Sequence, residues 1–188
     1  MFESRFEFSL DDNIAGTIYT TKKKNKKLNI VIYVLLGICL LFAIISLILD
    51  IILGDGIIFD ILLILLSIGV IIYHFYSPKM WKKSAIKTYN EYIAENKYCV
   101  VSIDDDSCRV SFYKENEEIS KMVLDLNNIT ACFEDEERFV IVFDKSQFVV
   151  VRKDKLSGRI ELLRDKIEQY LNDEGIIYVT KREIKKMA

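Results

Sequence analysis

The stretch LILDIILGDGIIFDILL, Leu47–Leu63, lies inside the most apolar part of this 188-residue chain and decides its fold. It carries three aspartates, Asp50, Asp55 and Asp60, and a glycine stands on each side of Asp55. Either it is the middle of one long buried helix that holds three charges, or it is the outer bend between two membrane-spanning helices. The sequence on each side of this stretch favours the second interpretation.

Two apolar stretches flank the bend, and each is long enough to cross a bilayer as a helix. Ile30–Leu49 has 20 residues without a charge, and Ile57–Tyr76 has another 20 with Asp60 as the single charged residue. A helical span needs about 20 apolar residues. One helix through both stretches would bring three aspartates into or near the hydrocarbon, at roughly 2.5–3.5 kcal/mol for a central one. We therefore predict a two-span hairpin, with helices over residues 28–53 and 57–77 and an extracellular turn over residues 54–56.

Lysines stand on both outer flanks of the predicted hairpin, and the connecting turn has none. The positive-inside rule then places both termini in the cytoplasm and predicts a multi-pass protein of the cell membrane. Pro78 should end or bend the second helix as it leaves the bilayer. The membrane-surface anchors that we predict are Lys22, Lys23, Lys24, Lys79, Trp81, Lys82 and Lys83.

The composition outside the hairpin excludes several classes of function. Residues 98–188 hold 15 Lys or Arg against 19 Asp or Glu, so the segment is mildly acidic and a nucleic-acid interface is not expected. The four cysteines lack the C-x-x-C spacing and the nearby histidine of a zinc site. We expect free thiols in a reducing compartment, with no metal and no cofactor.

The polar N-terminal segment, residues 1–27, begins with a strand pattern. Phe6, Phe8 and Leu10 alternate with polar neighbours, which is the period of a strand with one apolar face. Ser9 to Asp12 then has the form of a helix capping box, and predicts a short helix that leads to the membrane. Because an isolated strand is unstable, we expect this one to join a sheet elsewhere in the chain and to bury Phe6 and Phe8.

The segment after the second span predicts a helix followed by an α+β domain. In residues 78–97, Trp81, Ala85, Tyr89 and Ile93 recur every four residues, which is typical of an amphipathic juxtamembrane helix. Residues 98–188 then change to a period of two. Six short β-rich runs are separated by polar turns, which indicates an antiparallel sheet. An amphipathic helix over Lys155–Leu171, with Ser157 as its N-cap, should close the sheet in a pleckstrin-homology-like layout.

These features together resemble the YcxB-like membrane protein family. The resemblance is strongest in residues 124–156, LDLNNITACFEDEERFVIVFDKSQFVVVRKDKL, and in the helix that follows them. The resemblance implies a bacterial membrane location, a two-span hairpin and a YcxB-like domain over residues 98–188. It implies no activity that could be transferred to this chain.

The sequence lacks the usual catalytic constellations. The single histidine, His74, lies at the predicted membrane edge, and GDG lacks the spacing of a phosphate-binding loop. We interpret the acidic runs Asp104–Asp106 and Glu134–Glu137 as solvated turns. Whether Asp60 or His74 has a functional role stays open.

The basic turn of Arg152, Lys153 and Lys155 is the site that the sequence favours for contact with lipid or a partner. We therefore expect no enzyme but a membrane-anchored cytoplasmic interaction module. Its expected partners are the lipid bilayer and a protein, including a second copy of the chain, with no nucleic acid and no small-molecule substrate evident. The alternative is a small immunity or regulatory membrane protein that acts on a larger complex through its hairpin.

Overall fold

The computed structural model describes residues 1–53, 58–93, 98–144, 147–171 and 175–179. The predicted extracellular turn over residues 54–56 lies outside the described residues, as do the end of the predicted juxtamembrane helix and the last nine residues. The side chains of Lys22, Lys23, Lys24, Asp60 and His74 also lie outside the described part.

The described chain forms helices at its apolar segments and strands at its alternating ones. The first elements are β1 (Phe2–Phe6), α1 (Leu10–Leu53), α2 (Ile58–Thr88), a π-helical turn (Tyr89–Ile93), β2 (Tyr98–Ile103), β3 (Ser107–Lys114) and β4 (Glu117–Asp125). They are followed by a 3-10 turn (Leu126–Asn128), β5 (Ile129–Glu134), β6 (Arg138–Phe143), β7 (Gln147–Arg152), a second 3-10 turn (Lys153–Lys155), β8 (Leu156–Ser157), α3 (Ile160–Tyr170) and β9 (Ile176–Tyr178).

The chain divides into two compact units. Met1–Lys23 and Trp81–Ala188 together form one unit, called the domain below, and Lys24–Met80 forms the other, called the apolar unit. In the described part, the helical segment Val31–Leu53 is by itself long and apolar enough to cross a membrane, and little of it is buried. A second crossing segment is obtained only when Ile61–Tyr73 and Tyr76–Glu91, which are bent relative to each other, are counted as one.

The N-terminal strand joins a five-stranded sheet of the domain, as predicted. The order of this first sheet is β4-β3-β2-β1-β8, and all its pairs are antiparallel. Phe2 lies opposite Ile103, and Phe6 lies opposite Cys99. Phe6 and Phe8 are both buried, so the prediction that this segment pairs with the sheet is confirmed.

The domain has two sheets, where the sequence predicted one. The second sheet has the order β7-β6-β5-β9. Its β5–β9 pair is parallel, and β9 was not predicted. The chain changes sheet at the 3-10 turn Leu126–Asn128, where the Asp125 carboxylate accepts a hydrogen bond from the backbone N–H of Asn127 at 2.8 Å. Leu126, in the same turn, is buried in the core.

All six predicted strands are present, and β3 and β4 begin before their predicted runs, at Ser107 and Glu117. Glu115 and Asn116 have positive φ angles of 51° and 73°, so two residues suffice for the turn between β3 and β4. Such two-residue turns match the twist of an antiparallel hairpin. β4 therefore starts at Glu117, directly after this turn.

The C-terminal helix is shorter than predicted and begins differently. α3 starts at Ile160, not at Lys155, and its N-cap is Arg159, without a side-chain cap hydrogen bond. Ser157 belongs to β8, where its hydroxyl bonds the backbone N–H and C=O of Glu3, each at 2.9 Å. Gly158, at φ 128°, separates β8 from the helix because this conformation is incompatible with a helix. The face that packs on the core is the predicted one, with Leu163 and Ile167 buried.

The first helix also differs from the prediction, because the short helix and the first span are one element. α1 runs from Leu10 to Leu53, and its first part contributes Ala15, Ile18 and Tyr19 to the core of the domain. Pro78 lies inside α2, so the second helix does not end there, but the helix bends just before it, between Ile61–Tyr73 and Tyr76–Glu91.

Candidate functional site

The basic turn that the sequence favoured as a contact site is largely paired within the domain. Nη1 of Arg152 lies 3.6 Å from the Asp12 carboxylate, and its Nε lies 3.3 Å from Asp154. Nζ of Lys153 lies 2.7 Å from the Glu134 carboxylate. Lys155 is exposed and has no ion pair with any residue that the structure describes. The three cations therefore do not form one free basic set, although their contact with lipid or a partner stays a prediction.

Asp12, at the start of α1, is the centre of a buried network of ion pairs and hydrogen bonds. Its side chain is fully buried, and Nη1 of Arg138 lies 2.7 Å from its Oδ1. Its Oδ2 accepts hydrogen bonds from the backbone N–H of Ser9 at 3.0 Å and from the Ser9 hydroxyl at 2.8 Å. Ser9 Oγ in turn accepts the Asp12 N–H at 3.2 Å, which completes the predicted capping box. One side chain thus both caps the helix and binds it to β6.

The acidic run Glu134–Glu137, which begins with the last residue of β5, is only in part the solvated turn that the sequence predicted, because only Glu136 and Glu137 are exposed. Glu134 and Asp135 are buried. Asp135 Oδ2 lies 3.4 Å from Nε of Arg138, and Nη2 of the same guanidinium lies 2.8 Å from Glu137. The prediction was wrong for Glu134 and Asp135 because it treated the run alone, whereas Arg138 immediately after it bridges Asp135, Glu137 and Asp12.

Glu134 is the centre of a second buried cluster. Arg164 of α3 binds it through two nitrogens, Nε at 3.0 Å and Nη2 at 2.6 Å, and Lys153 binds it from the 3-10 turn. Burial by itself raises the pKa of Glu134, but the hydrogen bonds from Arg164 and Lys153 outweigh it and hold the pKa below its usual value. The cluster fastens α3 and the end of β7 to β5.

The two chain segments that lead into the apolar unit meet inside the domain. Nδ2 of Asn13 donates a 2.8 Å hydrogen bond to the backbone C=O of Ala85, and both residues are buried. The Tyr89 hydroxyl donates to the backbone C=O of Phe8 at 3.2 Å. The base of α1 and the end of α2 are therefore bound to each other and to the sheet, which no periodicity in the sequence predicted.

Gly16 allows a close approach between α1 and the second sheet. A Cβ placed on Gly16 would lie 1.9 Å from the nearest ring carbon of Phe148 in β7. Three residues further along the helix, Tyr19 stacks on Phe133 with ring centroids 4.9 Å apart. These contacts seat the helix base on the sheet, and only a residue without a side chain fits at position 16.

The predicted membrane-surface anchors are described only in α2. Lys79 and Lys83 are exposed, and Trp81 and Lys82 are partly exposed. Nζ of Lys79 lies 5.4 Å from the centre of the Tyr76 ring, within reach of a cation–π interaction. Nothing in this geometry tests the anchoring role, which stays a prediction.

The cysteines and aspartates that invite a metal hypothesis have other surroundings. Cys99, Cys108 and Cys132 are buried free thiols, and burial raises the pKa of Cys99 and of Cys108 to about 12. Tyr170 of α3 binds Asp105 and Asp106 through its hydroxyl. Over the described ranges, no three His, Cys, Asp or Glu side chains are grouped as a metal ion requires.

Comparisons of the chain with models of protein families, with curated proteins and with solved structures found no match. The resemblance to the YcxB-like family therefore stays a prediction.

Proposed function

We propose that the protein is a membrane-anchored, non-enzymatic interaction module, whose domain lies on the cytoplasmic side and binds a protein or lipid there. The observation that carries this proposal is the buried contact between Asn13 and Ala85. Because of it, the segments before and after the apolar unit both belong to the same folded domain.

This arrangement favours two spans over one. The chain leaves the domain after Lys23 and returns to it at Trp81. A segment that starts and ends in one compact domain crosses a bilayer an even number of times. Residues 24–80 suffice for two crossings of about 20 residues each. With the lysines on both flanks, the proposal places both termini in the cytoplasm.

The layout of the domain is consistent with a pleckstrin-homology-like fold. Two mainly antiparallel sheets enclose a common core, and α3 packs on it through Leu163 and Ile167. The buried ion pairs around Asp12 and Glu134 join the helix bases and α3 to the sheets. Anchoring a domain to a membrane raises the effective concentration of a partner in the same plane.

The proposed contact surface includes Lys155, the exposed member of the basic turn. Reversing the charge of Arg152 or Lys153 would set a new carboxylate beside Asp12 or Glu134 and so destabilise the domain. A binding test of this turn is therefore best confined to Lys155. If the contact is an anionic bilayer, removing this charge weakens it by about 1 kcal/mol.

Orientation is tested first, by cysteine labelling on intact cells. A cysteine at Gly54 should react with an impermeant thiol reagent, and a cysteine at Lys114 should react only after permeabilisation. Labelling of Lys114→Cys from outside, with Gly54→Cys protected, would contradict the proposed topology.

Function is tested by placing a photoreactive amino acid at Lys155 or at Ile44 of the full-length protein in its native membrane. Ile44 is an exposed residue of α1 in the apolar unit and serves as the matched position. Adducts at Lys155 support the interaction module, and their mass distinguishes a lipid from a protein. Protein adducts at Ile44 together with none at Lys155 would instead favour the alternative, a protein that acts through its hairpin.

A further inference from the structure

The outer face of the five-stranded sheet carries a polar groove that none of the interactions above uses. Strand alternation buries Cys99, Val101 and Ile103 of β2 on the inner side and leaves Val100 and Ser102 on the outer side. The groove on that outer side has a volume of about 390 Å³. Volumes of roughly 300–1,000 Å³ are typical of sites for small molecules. We call it the outer groove. Its polar lining consists of the cations Arg5, Arg109 and Lys121, the hydroxyls of Ser102, Ser111, Tyr98 and Tyr113, and the carboxylates of Glu3 and Glu118.

The cations of the outer groove differ from those elsewhere in the domain. Arg138 and Lys153 bind buried carboxylates at 2.7 Å. By contrast, Arg5, Arg109 and Lys121 form no ion pair with any residue in the described ranges, although all three are charged and exposed. Their charges are therefore available to a ligand.

Register brings two of these cations together over a serine. Arg109 lies opposite Val123, and Lys121 lies opposite Ser111 in the β3–β4 pair. Arg109 and Lys121 are therefore diagonal neighbours on one face, about 7–8 Å apart at the backbone. Both long side chains can converge on one anion between them, above the Ser111 hydroxyl.

The floor of the outer groove is recessed. Ser111 is only 4% exposed and Ser102 only 8%, although both point to the outer side of the sheet. They are shielded because longer side chains surround them. The Ser102 hydroxyl adds a neutral donor beside Arg109, whereas the Ser111 hydroxyl is hydrogen-bonded to the Tyr113 side chain.

One wall of the groove is held in place by stacking. The rings of Tyr98 and Tyr113 are 5.0 Å apart and nearly parallel, and the Arg5 guanidinium lies 4.3 Å from the centre of the Tyr98 ring. The Tyr113 hydroxyl donates to Glu118 at 3.1 Å, and that hydrogen bond raises the pKa of Tyr113. The Glu118 carboxylate accepts this hydrogen bond, which reduces its repulsion of an anion bound at Lys121.

The geometry points to the outer groove as a binding site for a small, polar, phosphate-bearing molecule, with the phosphate between Arg109 and Lys121. A guanidinium fork, an ammonium and the Ser102 hydroxyl together match the several oxygens of a phosphate. A lone planar carboxylate would need only the arginine. The Tyr98 ring is covered by Tyr113 and Arg5, and most of the lining is polar, so the rest of the ligand should be polar as well.

The phosphate could belong to a free metabolite or to a lipid headgroup, and the chemistry of recognition is the same. The site does not depend on the proposed function, because the groove is formed by residues of the domain alone. Failure of phosphate binding would therefore leave the anchored module intact, and failure of the topology test would leave the groove intact.

The test uses the full-length protein in phosphatidylcholine nanodiscs, with inorganic phosphate as the probe and sodium chloride of equal ionic strength as the reference. Thermal unfolding of the domain is followed by fluorescence of Trp81, the single tryptophan of the chain. Phosphate should raise the unfolding midpoint more than chloride does. R109Q and K121Q should each weaken the phosphate response about tenfold, as expected for loss of one charged hydrogen bond. R159Q is the matched control, because Arg159 is exposed and lies outside the groove.

Nanodiscs that also contain phosphatidic acid distinguish the two sources. If the lipid phosphate occupies the groove, the response to free phosphate falls in those discs, and if a free metabolite is the ligand, the response is unchanged. An equal midpoint in phosphate and in chloride would overturn the proposal. So would a loss of response in R159Q as large as in R109Q and K121Q, because the effect would then be one of total charge.

Discussion

Replacing Asp12 with asparagine removes the buried charge at the base of α1 while keeping a side chain that can cap the helix. Asparagine retains one oxygen to accept the Ser9 N–H, so the capping box is largely preserved. Its amide group, however, brings donors towards Arg138, where the carboxylate lay 2.7 Å away. The substitution therefore isolates the ionic contribution of Asp12 from its role as a cap.

The magnitude lies between two limits. Exposed ion pairs contribute about 0.2–1 kcal/mol, whereas breaking a fully buried pair costs about 3–5 kcal/mol because a charge is left without its partner. Asp12 is fully buried, but Arg138 keeps Asp135 at 3.4 Å and Glu137 at 2.8 Å. We therefore expect D12N to lower the free energy of unfolding of the domain by about 2–3 kcal/mol.

A double-mutant cycle with Arg138→Met isolates the pair. If the two side chains interact directly, the double variant is more stable than the two separate losses predict, by about 2 kcal/mol. Unfolding in urea is followed by pulse labelling of the buried thiols of Cys99, Cys108 and Cys132. Cys39 is exposed and is replaced by serine in every variant, so that only thiols of the domain report.

Asp11 provides the matched control for this cycle. It is the adjacent acidic residue in the first turn of α1, and it is exposed. D11N should change the free energy of unfolding by no more than about 0.5 kcal/mol. A coupling energy below about 0.5 kcal/mol between Asp12 and Arg138, or equal effects of D11N and D12N, would refute the reasoning.

Three further predictions follow from the packing and the pKa shifts. Gly16→Ala places a Cβ 1.9 Å from the Phe148 ring, so it should destabilise the domain by about 1–3 kcal/mol in thermal unfolding. Gly37→Ala is the control, because a Cβ there meets no atom within 4 Å, and it should leave the stability of the domain unchanged. Equal stability of the two variants would contradict this prediction. The pKa of Glu134 is lowered in the folded protein, so the ionised side chain stabilises the domain above pH 4.5, and this stabilisation is lost as the pH falls through the folded-state pKa. The difference in free energy of unfolding between wild type and Glu134→Gln should therefore narrow on acidification. A difference that does not change with pH would disprove this prediction. Burial raises the pKa of the Cys108 thiol from 9.0 to about 12, so the thiol loses its proton in the unfolded state first, and the stability of the domain falls above pH 9. In urea unfolding, the wild type should lose about 1.4 kcal/mol of stability between pH 8 and pH 10 relative to Cys108→Ala. Parallel pH profiles of the two proteins would rule this effect out.

Local patterns were sufficient to predict most of the elements. Alternation of apolar and polar residues placed the six strands from Tyr98 to Arg152, because the side chains of a strand point alternately to core and solvent. The spacing of Leu163 and Ile167 identified the buried face of α3, because residues four positions apart lie on the same face of a helix. The capping box at Ser9 and Asp12 was visible because its hydrogen bonds join residues three apart.

The start of α3 could not be located from its own segment. Ser157 has the chemistry of an N-cap, but its hydroxyl bonds Glu3, which is 154 residues away in the chain. A distant strand competes here with the local helix, and only the folded chain decides between them. The parallel strand β9 escaped prediction likewise, because three residues contain too short a pattern and their pairing with β5 is a tertiary contact.

What the sequence by itself determined is most of the elements and the presence of a segment apolar enough to span a membrane, because hydrophobic periodicity and length are properties of neighbouring residues. What only the tertiary structure decided is which charges are paired. Arg152 and Lys153 looked like a free basic turn, and they are bound to Asp12 and Glu134, which lie far from them along the chain. Conversely, Arg109 and Lys121, which are twelve positions apart, meet on one face of the sheet. An ionic contact depends on distance in space and on burial, and neither is encoded in the local pattern of a sequence.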